Sequence, residues 1–158
     1  MCLRAELGLP DPPSNSVGVA FSRDLYRRID FKRLIDCINI SIPPKRFCAY
    51  FLNFFEDLEG FLTVAQSSLL DQEFQRFFND FVVAARGFED ETINSGHYDI
   101  NYRDLCLKWL CEEGEEMPLN EYLAIVNPKV EAFDRLAKTA IAMVRYIAEA
   151  YSVSVHQR

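Results

Sequence analysis

The sequence predicts an all-α fold, in which a flexible N-terminal arm (residues 1–20) precedes a single-domain bundle of about five helices (residues 21–158). Three observations favour this class. The chain has 158 residues, which is the size of one domain. Hydrophobic residues make up 49% of it, enough for a buried core, and they recur at helical spacing. No stretch alternates apolar and polar residues as a half-buried strand would.

The arm and the first helix are separated by a change of pattern near Phe21. Before it, three prolines and the polar residues 14–16 interrupt regular structure. From Phe21 onward, apolar residues fall at spacings that one side of a helix can gather. Pro43 and Pro44 end this pattern because proline lacks the N–H that a helix interior requires. We therefore expect one helix over residues 21–42.

Two phenylalanine-rich helices are expected next. Ten of the 13 phenylalanines lie between Phe47 and Phe88, mostly at steps of three and four. One helix should run from about Pro44, which fits its first turn, to about Leu62. The other should begin near Asp71 and end at Gly87, which suits a left-handed cap. The motif F-x-x-F-F-x-D occurs once in each helix. It indicates either an antiparallel pair that packs Phe on Phe or a chance similarity.

The C-terminal third of the chain predicts two further helices. Residues 92–101 are expected to form a loop, after which Asn101 can cap a short helix that stops near Gly114. The last helix has the clearest start signal in the chain, Asn127 as a cap followed by Pro128 in the first turn. It should continue to about residue 151, with an apolar stripe that begins at Val130.

Charge is distributed unevenly along the chain, whose net charge is −7. Residues 21–48 carry seven basic and three acidic side chains, whereas residues 56–91 carry nine acidic and two basic ones. Basic side chains of the first helix fall mostly away from its apolar side and form a predicted basic face. This face suits nucleic acid, phosphate or an acidic protein, or it is a solvated surface paired with the acidic middle of the chain. Its members are Arg23, Arg27, Arg28, Lys32 and Arg33.

Common catalytic and cofactor-binding motifs are absent from the sequence. Neither glycine-rich pattern of a phosphate-binding loop occurs. Only two histidines are available, and His156 lies among the last three residues, so a catalytic triad would depend on His97. No nucleophile motif lies near His97, which is expected to be a surface-loop residue. The sequence therefore predicts no catalytic and no cofactor-binding residue.

Clustered carboxylates offer one enzymatic alternative. The pattern E-x-x-E occurs twice within residues 112–116, and E-x-x-D follows at residues 131–134. The combination resembles the E-x-x-E…E-x-x-D signature of all-α nucleotide pyrophosphatases of the MazG type. That resemblance implies Mg²⁺ held between helices, since Mg²⁺ prefers carboxylate oxygens. Gly114 and Pro118 argue against a continuous helix at this segment, which is where the sequence departs from the signature. The other interpretation of residues 112–116 is a solvated acidic helix end or an acidic contact loop. The residues concerned are Glu112, Glu113, Glu115, Glu116, Glu131 and Asp134.

Cysteine usage and the ends of the chain predict a cytoplasmic protein. The five cysteines are odd in number and irregularly spaced, so we expect buried free thiols rather than a disulfide scaffold. Cys106 and Cys111 lie five residues apart, which indicates neither a metal site nor a disulfide. No apolar run approaches the roughly 20 residues of a membrane span, and the first residues lack the apolar core of a signal peptide.

These features together favour a non-enzymatic interaction protein over an enzyme. An acidic helical bundle with broad apolar stripes and segregated charge suits binding to another macromolecule, with self-association as a further form of interaction. Accessory, inhibitor, antitoxin and immunity proteins all fit this description. The alternatives are the Mg²⁺-dependent pyrophosphatase and a nucleic-acid-associated protein that uses the basic face. The overall acidity counts against a dedicated nucleic-acid binder.

Overall fold

The computed structural model describes residues 13–101, 103–108 and 117–155, and this part of the chain is mostly helical. It contains five α-helices, a small three-stranded sheet and two one-turn 3-10 helices, Ser67–Leu69 and Ile93–Ser95. The helical character agrees with the predicted class, and the sheet departs from it. The larger elements, in chain order, are α1 (Pro13–Arg28), α2 (Phe31–Ile40), β1 (Arg46–Cys48), α3 (Tyr50–Leu62), α4 (Gln72–Glu91), β2 (Tyr98–Ile100), β3 (Asp104–Leu107) and α5 (Leu119–Tyr151).

The first helix starts earlier than predicted. Because α1 begins at Pro13, residues 13–20 belong to a helix rather than to an arm, and residues 1–12 lie outside the described part. The predicted single helix over residues 21–42 is also wrong, since α1 and α2 are separate helices. The Asp30 carboxylate accepts a hydrogen bond from the Arg33 N–H at 3.1 Å. This cap starts α2 as a new helix.

The sheet has the strand order β1-β3-β2, and both pairings are antiparallel. Leu105 of β3 lies opposite Phe47 of β1, and both side chains are fully buried. Strands of three and four residues are too short to show an alternating pattern, and Phe47 also fits the helical spacing that follows it. The helix predicted after Asn101 is therefore wrong at residues 104–107, which form β3, and its residues 109–114 lie outside the described part.

The predicted start of α4 is confirmed, whereas its predicted end is wrong. The Asp71 carboxylate caps the helix by accepting a hydrogen bond from the Phe74 N–H at 2.7 Å. The helix continues through Gly87, whose backbone stays helical, and ends at Glu91. Glycine permits a left-handed cap but does not impose one. Phe88 is fully buried beyond it, and this packing favours a longer helix.

The last helix also begins earlier than its start signal indicates. α5 has 33 residues, starts at Leu119 and carries Pro128 inside it, so the predicted start at Asn127 is wrong. Pro128 lacks the N–H that would donate to the Ala124 carbonyl, which weakens one turn. Val126 is buried in the core just before the proline. Packing of this turn offsets the missing hydrogen bond, because most helical stability in proteins comes from tertiary contacts.

The centre of the core is the packed pair α3 and α4, joined ring to ring. Phe61 contacts Phe78 with centroids 6.2 Å apart, and Phe51 contacts Phe88 at 4.8 Å. Phe54 contacts Phe81 between these two pairs, at 5.9 Å. Residue numbers fall along α3 as they rise along α4, so the two helices are antiparallel. The Phe-on-Phe packing expected of the F-x-x-F-F-x-D helices is thus present.

Asp71 also joins the start of α4 to the end of α5. Its carboxylate accepts hydrogen bonds from the hydroxyls of Tyr146, at 3.0 Å, and of Tyr151. Burial raises the pKa of this carboxyl, but the hydrogen bonds from Tyr151, from the Phe74 N–H and from Tyr146 outweigh burial, so the pKa of Asp71 lies below its usual value. An ionised Asp71 therefore holds two helix ends together at neutral pH.

Candidate interaction surface

All five residues of the predicted basic face are exposed, and they lie on two helices. Arg23, Arg27 and Arg28 belong to α1, while Lys32 and Arg33 belong to the first turn of α2. Both helices turn their apolar side toward the core, which leaves these cations in solvent. Arg27 and Arg28 occupy the last turn of α1, where positive charge also stabilises the helix dipole. The basic face is therefore a surface feature, as the sequence predicts.

Few of these cations are paired with the acidic part of the chain. The Arg27 guanidinium lies 3.2 Å from the Asp24 carboxylate on the same helix. The Arg33 guanidinium lies over the Tyr50 ring, 4.6 Å from its centroid. The other three cations form no ion pair with a carboxylate of the described residues; they are Arg23, Arg28 and Lys32. Positive charge therefore remains available to a partner.

A groove with a cavity volume of about 540 Å³ runs beside this face. One wall is α1, and the other is the end of α3 with the turn that follows it. We call this feature the α1–α3 groove. Its lining residues are Val17, Ala20, Phe21, Asp24, Arg27 and Arg28 on one side and Phe61, Val64, Ala65, Gln66 and Leu69 on the other.

The α1–α3 groove combines a fixed aromatic base with exposed apolar edges. Phe21 and Phe61 are nearly fully buried and contact each other edge to face at 5.3 Å. Phe21 also packs against Phe74 and so is anchored in the core. Val64 and Leu69 are each 58% exposed, so the groove presents aliphatic side chains to solvent. The groove is thus preformed, apolar inside and basic at one end.

Only half of this groove could be found from the sequence. Arg27 and Arg28 belong to the basic face, and charge alone indicates them. Phe61 is predicted as core, and no pattern marks Val64 or Leu69, which follow the end of a helix in an irregular segment. They reach α1 only through the tertiary fold. Apolar residues in a turn between two helices are the sole signal that could have drawn attention to them.

The carboxylate alternative gains no support from the residues that the structure describes. Glu112, Glu113, Glu115 and Glu116 lie outside the described part. Glu131 and Asp134 are exposed on α5, and the Asp134 carboxylate is 2.7 Å from the Lys138 ammonium. Among the described residues, no group of three or more His, Cys, Asp or Glu side chains is arranged to hold a metal ion.

His97 lies half-buried in the loop between the second 3-10 helix and β2, beside a polar cluster that joins α4, β2 and α5. The Lys129 ammonium is buried and 3.2 Å from the Glu91 carboxylate, and it lies 5.9 Å from the centroid of the Tyr98 ring. Burial lowers the pKa of His97. The positive charges of Lys129 and Lys108 lower this pKa further, whereas the negative charge of Glu91 raises it. His97 is therefore neutral near pH 7.

The serine hydroxyl closest to His97 in sequence belongs to Ser95, and it is hydrogen-bonded to the backbone. It accepts a hydrogen bond from the His97 N–H at 3.1 Å and donates one to the Thr92 carbonyl at 2.7 Å. These bonds are made to main-chain atoms and close the turn that follows α4, so they do not pair the hydroxyl with the imidazole as a nucleophile would require.

The cysteines differ from the predicted set of free thiols. Cys37 and Cys48 are free, and burial is the main cause that raises the pKa of the Cys37 thiol, with Cys48 nearby adding to it. Cys106, by contrast, is disulfide-bonded. The expectation that Cys106 takes part in no disulfide is therefore wrong. The expectation assumed that Cys106 and Cys111 share one helix, but Cys106 lies in β3.

Comparison with known proteins returns no relative: no family model, no curated protein and no solved structure matches the chain. Functional inference therefore rests on the geometry of the molecule itself. In the ranges that the structure covers, none of the helices is both long enough and apolar enough to cross a membrane.

Proposed function

We propose that this chain is a non-enzymatic interaction protein that binds another macromolecule in the α1–α3 groove. The observation that carries the proposal is the pairing of exposed aliphatic edges with unneutralised arginine at a preformed cavity. Exposed apolar area beside a charged rim is typical of protein-binding surfaces. Accessory, inhibitor, antitoxin and immunity roles all remain within this proposal.

The two alternative functions have weaker support. A nucleic-acid-associated role would use Arg23, Arg28 and Lys32, but the net charge of −7 opposes a polyanion. No described residue favours the Mg²⁺-dependent pyrophosphatase. Self-association through the α1–α3 groove is one form of the proposed activity. A cytoplasmic location belongs to the same proposal, although the disulfide at Cys106 counts against a reducing compartment.

Affinity capture from the protein's own source tests the proposal when it is run with groove variants. Leu69→Asp places a carboxylate on the apolar edge of the groove. Val83→Asp is its matched control, because Val83 is 67% exposed on α4 and does not line the groove. We expect a partner that is retained by the wild type and by Val83→Asp and is lost with Leu69→Asp. Capture that is equal for all three proteins would contradict groove binding.

A further inference from the structure

We infer that the partner's contribution to the α1–α3 groove is an acidic amphipathic helix of another protein. This inference rests on the proposed function and adds the chemistry of the occupant. It follows from three properties of the groove: its length and walls, its charge, and the position of its exposed aliphatic side chains.

The walls of the groove favour a helix over an extended peptide. α1 lines it from Val17 to Arg28, which at 1.5 Å per residue is a length of about 16 Å, or three helical turns. The opposite wall is the end of α3, where the Ala65 N–H donates to the Phe61 carbonyl, and the 3-10 turn that follows, where the Leu69 N–H donates to the Gln66 carbonyl. No strand edge is among the described residues that line the groove. An extended peptide would leave its backbone unpaired there, whereas a helix brings its own hydrogen bonds.

The charge of the groove selects an acidic occupant. Two guanidinium groups and one carboxylate line it, and the Arg28 guanidinium has no ion pair among the described residues. The Arg27–Asp24 pair is exposed, and exchanging such a pair for a partner's carboxylate costs little. Acidic residues outnumber basic ones over the whole chain, which carries a net charge of −7. An acidic partner is therefore repelled elsewhere and attracted here.

The apolar side chains that line the groove favour an occupant with an apolar face as well as acidic residues. Val64 and Leu69 line the groove together with the contacting rings of Phe21 and Phe61, and the α1 wall is apolar from Val17 to Phe21. A helix that enters this groove buries aliphatic or aromatic residues at positions i, i+3 and i+4 on one face. Its carboxylates then fall near Arg27 and Arg28, at the other end of the groove. Nucleic acid would gain nothing from the apolar half and would meet only two lining cations.

Peptide display on the full-length protein tests this inference while the natural partner is still unidentified. A random library of peptides of about 16 residues, which as helices would span about 24 Å and so overhang the groove at both ends, is selected on the wild type. Selected clones are then assayed by fluorescence anisotropy against Leu69→Asp and its control Val83→Asp. They are also assayed against Arg28→Glu and its control Arg23→Glu. Arg23 is an exposed cation of the same helix that does not line the groove.

We expect enriched peptides that carry net negative charge and apolar residues at helical spacing. Their affinity should fall about tenfold or more with Leu69→Asp and with Arg28→Glu, the loss that corresponds to about one strong contact. Val83→Asp and Arg23→Glu should leave the affinity within about twofold, since they remove no groove contact. Unchanged circular dichroism melting of the four variants establishes that each is folded.

The remaining outcomes overturn the inference in distinguishable ways. Groove-dependent peptides that are neutral or basic would refute the acidic helix and leave the proposed function standing. An absence of enriched peptides, or enrichment that ignores Leu69→Asp, would refute both. Tight binding of a DNA duplex that is lost with Arg28→Glu and kept with Leu69→Asp would assign the surface to nucleic acid instead.

Discussion

Gly18 occupies a position on α1 where any side chain would collide with Tyr151. A Cβ atom built there would lie 2.3 Å from both Cε1 and Cζ of the Tyr151 ring. The ring cannot swing away freely, because its hydroxyl is bound to Asp71. The Gly18 carbonyl accepts a buried hydrogen bond of 2.7 Å from the Ser22 hydroxyl. Close approach of backbone to ring is thus what allows α1 to pack against α5.

We expect Gly18→Ala to lower the free energy of unfolding. Overpacking costs about 1 to 3 kcal/mol, which exceeds the roughly 1 kcal/mol that alanine gains over glycine in a helix. Gly60→Ala is the matched control, because Gly60 is helical and nothing lies within 4 Å of its added Cβ. It should raise stability by about 0.5 to 1 kcal/mol. Urea unfolding measures both, and a Gly18→Ala protein that is as stable as the wild type would refute this packing.

At the scale of elements, Lys129 links α5 to α4 through its ion pair with Glu91. The two partners differ in exposure, because the Lys129 side chain is 1% exposed and that of Glu91 is 36% exposed. An unpaired Glu91 can reach water, whereas an unpaired Lys129 ammonium stays buried beside the Tyr98 ring. Removing the acid should therefore cost more than removing the base.

We expect Glu91→Ala to lower the free energy of unfolding by about 2 to 3 kcal/mol, somewhat less than for a fully buried pair. Lys129→Met keeps the apolar volume and should cost about 1 kcal/mol or less. The double variant should be close to Lys129→Met alone, because no buried charge is then left without a partner. Urea unfolding of the three variants measures this pattern. Additive losses, or a larger cost for Lys129→Met, would contradict it.

The same lysine shows why the beginning of the α5 stripe could not be predicted. The predicted stripe begins at Val130, which is 38% exposed, whereas Lys129 beside it is buried. A charged residue is assigned to the solvent side unless its partner is known, and Glu91 lies 38 residues away in sequence. Elements with many apolar residues at regular spacing, such as α4, were predicted well. Short strands and capped breaks within an apolar pattern were not, because tertiary pairing decides them.

At the scale of the whole molecule, the basic half of the α1–α3 groove could be predicted from the sequence and its apolar half could not. Net charge and its segregation are properties of the sequence, so the basic half of the groove was predicted. The apolar half exists only because the fold places the turn after α3 beside α1. A groove is a relation between distant segments, and local patterns carry no information about it. This is why the segregation of charge could be predicted from the sequence and the groove could not.

Phe47 connects the sheet to α3, α4 and α5 and provides a test of whether these elements unfold as one unit. Its ring, in β1, contacts Phe51 of α3, Phe88 of α4, Tyr98 of β2 and Phe133 of α5 at 5.0 to 6.3 Å. A fully buried side chain with such partners couples the sheet to the helices. We therefore expect the wild type to unfold in a single cooperative transition.

Phe47→Ala should lower the free energy of unfolding by about 3 to 5 kcal/mol, and Phe47→Leu by about 1.5 kcal/mol or less, since it fills most of the cavity. Phe77→Ala removes the same atoms from a half-buried position and should cost less than Phe47→Ala. Hydrogen exchange distinguishes the local from the global effect. In Phe47→Ala, the slowest amides of β3 and of α4 should lose protection by the same free energy. Loss confined to the sheet would show that the strands form a separate unit and that Phe47 does not join the layers.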